Sequence, residues 1–305
     1  MAFITKAVAM ARLFSLQAVA ENACPRVDYD RAAATYAAHA QLLAQAGEEF
    51  LDQIPIKSGD RVVDAPAGPG THTARLAKLV GNGGSVIGID ISQGMIAEAC
   101  CKCSSLANVQ LQCGELTAAL RQQRSQSMDG ILCSFGLVYL NHRSFLHETC
   151  RVLRSGGWLA VIENTKDTLA DVNAVFLETV MDMPFAVAKR VSLHMPGSSG
   201  HLASQMARYS FKIVAAYDGQ FELPCCDGNA LMEYLTKAGV AAGYLDALAP
   251  AYRDQFLSRF VAKWDAVEAR PVRHKYCAAI GIKQAKCQPF ARLRRLLHGL
   301  GGIKP

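Results

Sequence analysis

The residues best suited to chemistry are a turn of small residues, an acidic residue directly before it and a second acidic residue further along the chain. The segment VVDAPAGPGTHTARLAKLV (62–80) passes from apolar residues through Ala, Pro and Gly into a helical pattern. Asp64 stands immediately before the turn, and Asp90 lies 20 residues beyond Gly70. Small side chains let backbone N–H groups approach a ligand closely, and the start of the following helix adds positive potential.

The spacing of these residues distinguishes between two kinds of ligand. A dinucleotide-binding turn has the pattern G-x-G-x-x-G and places a pyrophosphate on the helix. Here the glycines are Gly68 and Gly70, and Pro66 occupies the place of an earlier glycine. Asp64 would repel a pyrophosphate but suits an ammonium group, whereas Asp90 can accept two hydrogen bonds from a ribose diol. The pattern predicts a nucleoside joined to an amino acid, which describes S-adenosylmethionine.

The elements around the turn alternate between strands and helices. Strands are predicted over 61–65, 83–90, 108–114, 127–135 and 156–163, with helices between them. This alternation implies right-handed crossovers and a parallel sheet covered on both faces. Beyond residue 164 helices are predicted over 171–191, from about His201, over 228–239 and over 250–270. Pro184 is expected to kink or end the first of these helices. Two late strands are predicted over 211–223 and 274–283.

Five segments follow one another in a characteristic order: VVDAPAGPGT, GIDISQGM, CGELTAAL, MDGILCSFGLVYL and RVLRSGGWLAVIE. Residues 59–163, which contain them, resemble the core of class I S-adenosylmethionine-dependent methyltransferases. The subgroup they resemble is that of ubiquinone/menaquinone-biosynthesis-like small-molecule methyltransferases, in which a helix similar to YDRAAATYAAHA (29–40) lies over the cofactor. The resemblance spans roughly residues 28–283. It departs at Pro66, since the family pattern D-x-G-x-G-x-G has a glycine there and proline removes a backbone donor.

The resemblance implies a fold and a division of the chain. The expected fold is α/β, a Rossmann-like seven-stranded and mostly parallel sheet in the order 3-2-1-4-5-7-6, with an N-terminal helical lid and an inserted helical cap. The expected domains are a helical lid or leader over 1–53, an S-adenosylmethionine-binding core over 54–165, substrate-cap helices with the last two strands over 166–285, and a basic tail over 286–305.

The resemblance also implies roles for individual residues. Asp64 would hold the ammonium group of the cofactor and Asp90 its ribose, while Thr71 and His72 either reach the carboxylate or cap their helix. The other expected cofactor contacts are Tyr29, Tyr36, Ala67, Gly68, Gly70, Ile91, Met95, Gly114, Glu115, Leu116, Ser134 and Phe135.

Candidate catalytic residues are less well defined. Transfer of a sulfonium methyl group is an in-line displacement that alignment accelerates, and a base is needed only where the acceptor must lose a proton. The candidates are Tyr139, His142 and His147, followed by His194 and His201. Each also has an ordinary structural explanation, such as a helix cap at His142 or a solvated helix face at His147.

The expected acceptor is a small and apolar metabolite. Motif four reads CSFGLVYL and lacks the N/D-P-P-Y pattern of enzymes that methylate bases, and the Pro-Cys pair at 224–225 lies outside the core motifs. A nucleic-acid substrate is therefore disfavoured. Phe176, Met181, Met183 and Phe185 offer a soft apolar lining, although the same side chains would serve equally well as core.

Composition limits the setting of this chemistry. The 305 residues are 51% apolar and 19% charged, and no run of about 18 apolar residues suggests a membrane span. An odd number of cysteines, 11, suits a reducing compartment and favours a cytoplasmic location, and no paired C-x2-C spacing predicts a metal. The first 20 residues are compatible with an organellar transit peptide, a packed helix or a leader. No acid follows Glu268, so the net charge of +6 belongs to the C-terminal end.

The sequence thus predicts a methyltransferase of small-molecule biosynthesis or secondary metabolism that acts on C, O or N of its acceptor. Two alternatives stay open. A protein of the same fold could bind the cofactor and promote a non-methylating rearrangement. An arsenite methyltransferase could use the cysteines of CCKC (100–103). The expected partner is the acceptor alone, without nucleic acid or stable membrane insertion, and a homodimer is compatible with the sequence.

Overall fold

The computed structural model describes residues 21–223, 227–267 and 271–285. The leader over 1–20, the cysteine pair at 225–226 and the basic tail over 286–305 lie outside these described residues. The strands are β1 (Arg61–Asp64), β2 (Ser85–Asp90), β3 (Val109–Cys113), β4 (Met128–Ser134), β5 (Leu153–Asn164), β6 (Phe211–Leu223) and β7 (Val272–Lys283). Each of the seven coincides with a predicted strand, with shifts of a few residues at the ends.

The seven strands form one sheet in the order β3-β2-β1-β4-β5-β7-β6, which confirms the expected order. Neighbours from β3 through β5 run parallel, and β7 is antiparallel to both β5 and β6. In the centre of the sheet Val63 stands beside Ile87 on one side and Ile131 on the other. The strand order therefore reverses between β1 and β4, and ligands of open α/β sheets bind in the crevice at such a reversal.

The helices of the described ranges cover both faces of this sheet and one end of it. They are α1 (Pro25–His39), α2 (Gln41–Leu51), α3 (Thr71–Val80), α4 (Gln93–Lys102), α5 (Leu116–Gln122), α6 (His142–Val152), α7 (Ala170–Asp182), α8 (Ser199–Ala207), α9 (Gly228–Lys237), α10 (Tyr244–Ala247) and α11 (Arg253–Asp265). Short 3-10 turns occupy Leu137–Tyr139, Pro184–Ala186 and Pro250–Tyr252.

The helix predicted over 171–191 is shorter than expected. It ends at Asp182, two residues before Pro184, and the chain continues as a 3-10 turn and then as irregular backbone. Proline lacks a backbone N–H and disfavours helical geometry at the residue before it, which explains the end of α7. The freed segment 187–194 returns to the carboxyl edge of the sheet. The single-turn helix α10 was not predicted.

The core is divided between the two faces of the sheet and the cap. Phe145, Ile131 and Leu159 are buried on one face, and Phe50, Leu76 and Trp158 on the other. A third cluster, around Leu231 and Phe260, joins α9 and α11 above the sheet. The central strands β4 and β5 are buried along most of their length, whereas the edge strand β6 alternates between sheltered and exposed residues. This difference follows from their positions, because central strands are covered on both faces and edge strands on one.

The predicted domain boundaries stay predictions. The region 166–285 supplies both the cap helices and the two strands that complete the sheet, so it is structurally continuous with the core.

Candidate functional site

A cavity of about 400 Å³ opens at the carboxyl ends of β1, β2 and β4, where the strand order reverses. Its walls come from the turn after β1, from the loops after β2, β3 and β4, from α1, and from the segment 191–194. Of the predicted cofactor contacts, the residues that line it are Tyr29, Tyr36, Ala67, Gly68, Thr71, Asp90, Ile91, Met95, Gly114, Glu115, Leu116, Ser134 and Phe135. Asp64 and Gly70 lie outside the lining.

The two glycines of the turn have different structural roles. Both have left-handed backbone, with φ of 52° at Gly68 and 81° at Gly70. A Cβ on Gly68 would meet nothing within 4 Å, so this position leaves open space toward a ligand. A Cβ on Gly70 would lie 2.9 Å from the backbone of Ala99 on α4. Gly70 therefore allows the turn to pack on α4, which explains why it does not line the cavity.

Pro66, which replaces the usual first glycine, borders the cavity and contacts the turn that follows β4. The Ala65–Pro66 peptide bond is cis. The proline ring fills the space beside Gly136, where any side chain would collide with it. Pro66 thus links the cofactor turn to the loop that carries Phe135 and Tyr139. Sequence reasoning identified the missing donor at this position but had no signal for the contact.

Asp64 is fully buried directly beneath the turn. Its Oδ2 accepts a hydrogen bond of 2.5 Å from the hydroxyl of Thr73, and its Oδ1 has no partner among the described residues. Burial raises the pKa of this carboxyl from 3.8 to about 7, although the bond from Thr73 opposes the shift. A buried carboxylate with a free oxygen is costly unless a cation approaches it. This environment fits the ammonium group of an amino acid.

Asp90 lies at the end of β2 and faces the cavity with both oxygens fixed. Oδ2 accepts from the backbone N–H of Gly68 at 2.9 Å, and Oδ1 accepts from that of Ser92 at 2.8 Å. Burial raises the pKa of Asp90, and these two N–H groups oppose the rise. Each carboxylate oxygen can accept a further hydrogen bond. Asp90 is therefore oriented to receive two hydroxyl groups of a ribose.

The far end of the cavity suits a flat apolar group. Ile91, which is 43% exposed, and the buried Met95 form its wall. The carboxylate of Glu115 accepts from the backbone N–H groups of Thr117 and Ala118, both at 2.7 Å, and so caps α5. Glu115 lines the cavity, and each of its oxygens accepts one backbone hydrogen bond.

Thr71 and His72 stand at the start of α3 and neither caps it with its side chain, because Gly70 is the capping residue. The hydroxyl of Thr71 accepts a 2.9 Å hydrogen bond from the ammonium of Lys102. The ring of His72 occupies a notch at Gly47, where any side chain would collide with it. Its Nε2 is buried without a hydrogen-bond partner among the described residues and lies 3.9 Å from Oε1 of Glu48, and burial lowers the pKa of the ring although Glu48 opposes the shift. Both residues line the cavity.

The helix α1 closes the cavity from above, two carboxylates of its N-terminal half attach it to different parts of the chain, and we call it the lid. Asp28 accepts from the backbone N–H groups of Gly243 at 2.9 Å and Asp246 at 3.0 Å. Asp30 accepts from the hydroxyl of Ser92 at 2.6 Å and the N–H of Gly94 at 3.1 Å, so it caps α4 from another helix. The sequence predicted a helix here but gave no sign of these contacts.

The wall beyond β4 carries two of the expected cofactor contacts, Ser134 and Phe135, and the candidate catalytic residue Tyr139. The hydroxyl of Ser134 is buried without a partner in the described part of the chain, and Phe135 has a left-handed φ of 54°. Four residues after Phe135, the phenol of Tyr139 meets that of Tyr29 from the lid, with 3.1 Å between the oxygens. The two rings are perpendicular, and their centroids lie 6.0 Å apart.

Three of the four candidate histidines lie together at one side of the cavity, where the rings of His142 and His194 have their centroids 6.2 Å apart and His142 and His201 both contact Gln205. His147 is exposed and lies 3.3 Å from Glu148, away from the cavity. His142 lies outside the lining; its Nδ1 is 3.1 Å from Oε1 of Gln205, and the neighbouring Asn141 caps the helix. His194 lines the cavity, and His201 lies behind it, 3.0 Å from the amide of Gln205. Of the three leading catalytic candidates, only Tyr139 lines the cavity.

The apolar side chains expected to line the acceptor pocket do not reach this cavity. Phe176 lines a separate apolar cavity of about 60 Å³ beneath the cap, and Phe185 is 57% exposed. The apolar part of the main wall includes residues of the lid together with Leu43 of α2 and with Leu140 and Leu193.

The described residues give little support to metal or arsenite chemistry. No group of three His, Cys, Asp or Glu that could hold a metal ion is present in these ranges. Cys100 and Cys101 are exposed, and Cys103 is buried beneath the turn with its sulfur 3.8 Å from the carbonyl oxygen of Gly70. None of the three lines the cavity, and burial raises the pKa of the Cys133 thiol well above its usual range. In the same ranges, no helix is both long and apolar enough to cross a bilayer.

Known proteins resemble this chain in sequence and in fold. The family model described as "Methyltransferase domain" matches residues 62–157. A 37.1 kDa protein of transposon TN4556 from Streptomyces fradiae is 31% identical over 221 residues, which cover 66% of this chain and 58% of that protein. Demethylmenaquinone methyltransferase of Staphylococcus saprophyticus is 30% identical over 122 residues, 40% of this chain and 52% of that enzyme. The chain thus spans little more than half the length of these relatives.

Two solved structures resemble the fold at low sequence identity. A protein from Bacillus halodurans C-125, provisionally assigned as a methyltransferase, aligns with a TM-score of 0.53 at 16% identity over 78% of this chain and 98% of that chain. A chain of the Haloferax volcanii complex between the Trm112 methyltransferase activator and a provisionally assigned methyltransferase aligns with a TM-score of 0.54, also at 16% identity, over 87% and 100% of the two chains. The family match, the strand order and the motifs agree: the chain carries a class I S-adenosylmethionine-dependent methyltransferase domain.

Proposed function

We propose that this protein transfers the methyl group of S-adenosylmethionine to a small, largely apolar acceptor bound under the lid. The observation that supports this most strongly is the division of one cavity into two parts. Asp90 and the open space at Gly68 line a polar half suited to a nucleoside and an amino acid, and Asp64 lies buried beneath this half with one oxygen free of partners among the described residues. The half beyond β4 carries the aromatic and apolar side chains Phe135, Tyr139 and Leu140 and would receive the acceptor.

The residues of the chain would act mainly by holding and enclosing the reactants. When bound, the cofactor supplies an electrophilic methyl group on a positively charged sulfur. Asp90 would orient the ribose and Asp64 the ammonium group, while the lid would exclude water from the reacting centre. The name of the Staphylococcus saprophyticus relative, demethylmenaquinone methyltransferase, supports a small-molecule acceptor.

Acid–base catalysis has little basis in the lining. Burial raises the pKa of Tyr139 above that of an ordinary phenol, so it remains protonated near neutral pH and is a poor base. His194 is the remaining candidate in the wall and lies on an exposed loop segment. This favours acceptors whose reacting atom is already nucleophilic, with alignment as the main source of rate.

The test has two stages. Calorimetry with S-adenosylmethionine and with S-adenosylhomocysteine should detect binding, which Asp90→Ala should weaken by roughly tenfold or more, as expected for the loss of charged hydrogen bonds. Asp254→Ala, which removes an exposed carboxylate on α11, is the matched control. The proposal would be refuted if the protein bound neither S-adenosylmethionine nor S-adenosylhomocysteine.

The second stage uses cofactor labelled in its methyl group and a panel of small apolar acceptors. Label in the product supports transfer. Conversion of an acceptor without label would instead support the non-methylating alternative. A triple Cys100→Ser, Cys101→Ser and Cys103→Ser variant that retains transfer would exclude a role for these cysteines.

A further inference from the structure

Two phenols meet across the cavity, Tyr29 on the lid and Tyr139 on the loop after β4. They share one hydrogen bond, although together they carry two hydroxyl hydrogens. Their oxygens are 3.1 Å apart, so one hydroxyl donates to the other. The second hydroxyl hydrogen is then left over, since two phenols carry two hydrogens and share one bond. No other hydrogen bond to either hydroxyl is present in the ranges that the structure describes. The pair therefore retains one donor for a ligand.

The surroundings of the pair make this donor distinctive. The cavity lining includes Pro25 and Ala37 of the lid together with Phe135, Leu140 and Leu193, which lack a polar side chain, and its polar members on the lid and on the loop after β4 include Tyr36, 6.3 Å from Tyr29 between ring centroids, and Ser134. A polar group that enters an apolar wall is costly unless it finds a hydrogen-bond partner. An entirely hydrocarbon ligand would leave the spare hydroxyl hydrogen unpaired, whereas a ligand with an oxygen at this point would satisfy it.

The position of the pair separates it from the expected cofactor groups. Asp90 and Met95, which would hold the nucleoside, follow β2, on one side of β1. Tyr139 follows β4, on the other side of β1. The pair therefore belongs to the acceptor half of the cavity.

The pair is also rigidly supported. Glu163, fully buried at the end of β5, accepts a 2.9 Å hydrogen bond from the backbone N–H of Val138 and so holds the 3-10 turn that carries Tyr139. On the lid side, a Cβ on Gly239 would lie 2.6 Å from the ring of Tyr29, so this glycine leaves the space that the ring occupies. Burial raises the pKa of Tyr29 well above its usual range, and the pair stays in its donating form.

From these observations we infer that Tyr29 and Tyr139 together bind an oxygen atom of the acceptor, and that the acceptor is an apolar molecule bearing a hydroxyl or carbonyl group. This inference rests on the proposed function. The acceptor oxygen binds to the hydroxyl groups of Tyr29 and Tyr139, and the apolar side chains of the wall contact the rest of the acceptor. The lid contributes Tyr29 to this pair. An acceptor of this class is therefore recognised only when the lid is in place.

The test compares three probes of similar shape in protein saturated with S-adenosylhomocysteine. The probes are 4-ethylphenol, 4-ethylanisole, whose oxygen can only accept, and ethylbenzene, which has no oxygen. Ligand-observed NMR titration gives their dissociation constants. We expect 4-ethylphenol to bind about fivefold tighter than ethylbenzene, which corresponds to one net hydrogen bond, with 4-ethylanisole between them.

Variants of Tyr29 and Tyr139 test whether these two hydroxyl groups cause the preference for 4-ethylphenol over ethylbenzene. Each single variant, Tyr29→Phe or Tyr139→Phe, leaves one hydroxyl and should retain part of the preference. The double variant should bind 4-ethylphenol and ethylbenzene within about twofold of each other, because no donor remains. Tyr252→Phe, on an exposed 3-10 turn outside the cavity lining, is the matched control and should behave as the wild type.

The outcomes separate the inference from the proposed function. Calorimetry with S-adenosylhomocysteine on every variant reports both folding and the cofactor half of the site. Failure of the wild type to bind it would remove the proposed function. Normal binding with no preference for 4-ethylphenol in the wild type, or with the same preference in the double variant, would overturn only the inference. If the double variant does not fold, the wild-type comparison of the three probes still decides.

Discussion

The carboxylate of Asp30 on the lid accepts a 2.6 Å hydrogen bond from the hydroxyl of Ser92 on the loop after β2. Ser92 in turn donates its backbone N–H to Asp90, the residue that faces the expected ribose. The lid and the cofactor loop therefore share a continuous hydrogen-bonded connection. A side chain at Gly94 would crowd Ala33 of the lid, with 2.9 Å between the two Cβ atoms, so the two helices approach closely at this point.

This connection predicts that Asp30→Ala weakens cofactor binding although Asp30 does not line the cavity. The variant removes a cap of α4 and one attachment of the lid, a loss of about 1–2 kcal/mol. We expect the affinity for S-adenosylhomocysteine to fall about fivefold to thirtyfold by calorimetry. Hydrogen exchange over residues 25–39 should accelerate in the absence of cofactor.

Glu98→Ala is the control for this prediction, because Glu98 is an exposed acid on the same helix, α4. It should leave both the affinity and the exchange rates unchanged. Equal effects of the two substitutions would mean that general electrostatics, and not the link to Ser92, connects the lid to the cofactor loop.

The glycines of the turn should respond differently to the same substitution. Gly70→Ala places a methyl group 2.9 Å from α4 and strains a left-handed residue, and we expect it to lower the free energy of unfolding by about 2–4 kcal/mol. Gly68→Ala meets no atom within 4 Å, so only the backbone strain of about 1 kcal/mol remains. Its methyl group would instead project into the open space of the turn and reduce cofactor affinity.

Urea unfolding and calorimetry on both variants check this division. A larger loss of stability in Gly68→Ala than in Gly70→Ala would contradict it. So would unimpaired cofactor binding in Gly68→Ala, because the open space at that position would then have no relation to the ligand.

The local parts of this site were predictable because they depend on short stretches of chain. The pattern from Val62 to Val80 indicates a strand, a tight turn and a helix, and the structure has all three. Asp90 was predicted from its place at the end of the next strand, and it does face the cavity. Strand order followed from the family resemblance and not from periodicity, since local patterns carry no information on which strands are neighbours.

The contacts between distant parts of the chain were not predictable in this way. Tyr29 and Tyr139 were assigned separate roles, one toward the cofactor and one as a base, and 110 residues separate them. No periodic pattern indicates that their hydroxyls meet. Gly70 carries the same sequence signal as Gly68, and only the position of Ala99 shows that it packs against a helix. Side-chain roles set by tertiary packing need the structure.

Glu163 should act as a positioning residue for Tyr139. Its two oxygens accept from the backbone N–H groups of Val138 at 2.9 Å and Asn164 at 2.7 Å. Glu163→Gln replaces one acceptor by an NH2 group that cannot accept, which leaves one buried N–H without a partner, and we expect a loss of about 1–3 kcal/mol in stability. The preference for 4-ethylphenol over ethylbenzene should fall while affinity for S-adenosylhomocysteine stays within about twofold, because Glu163 lies on the acceptor side.

Glu222→Gln is the comparison for this variant, since Glu222 is exposed on the edge strand β6 and pairs only with Arg273 at 3.3 Å in the described structure. It should change neither quantity. A Glu163→Gln protein that is less stable but keeps the full preference for 4-ethylphenol would limit Glu163 to a structural role.

The buried Asp64 gives the protein a specific dependence on pH. Burial raises its pKa from 3.8 to about 7, so between these values the folded state binds more protons than the unfolded state. The free energy of unfolding of the cofactor-free protein should therefore fall as the pH rises through this window and level off above it. Glu163, whose pKa burial also raises to about 7, contributes in the same direction.

The variant Asp64→Asn isolates the part of this pH dependence of stability that is due to Asp64. Between about pH 5 and about pH 8 the wild type should lose on the order of 1–3 kcal/mol more stability than the variant in urea unfolding. Asp254→Asn, at an exposed position, should follow the wild type. An ammonium group bound beside the free oxygen should also ionise Asp64, so cofactor binding near pH 6.5 should release a proton, seen as a binding enthalpy that varies with the ionisation enthalpy of the buffer. If the wild type and Asp64→Asn show the same buffer dependence, the cofactor ammonium does not contact Asp64, and the polar half of the cavity must hold that group elsewhere.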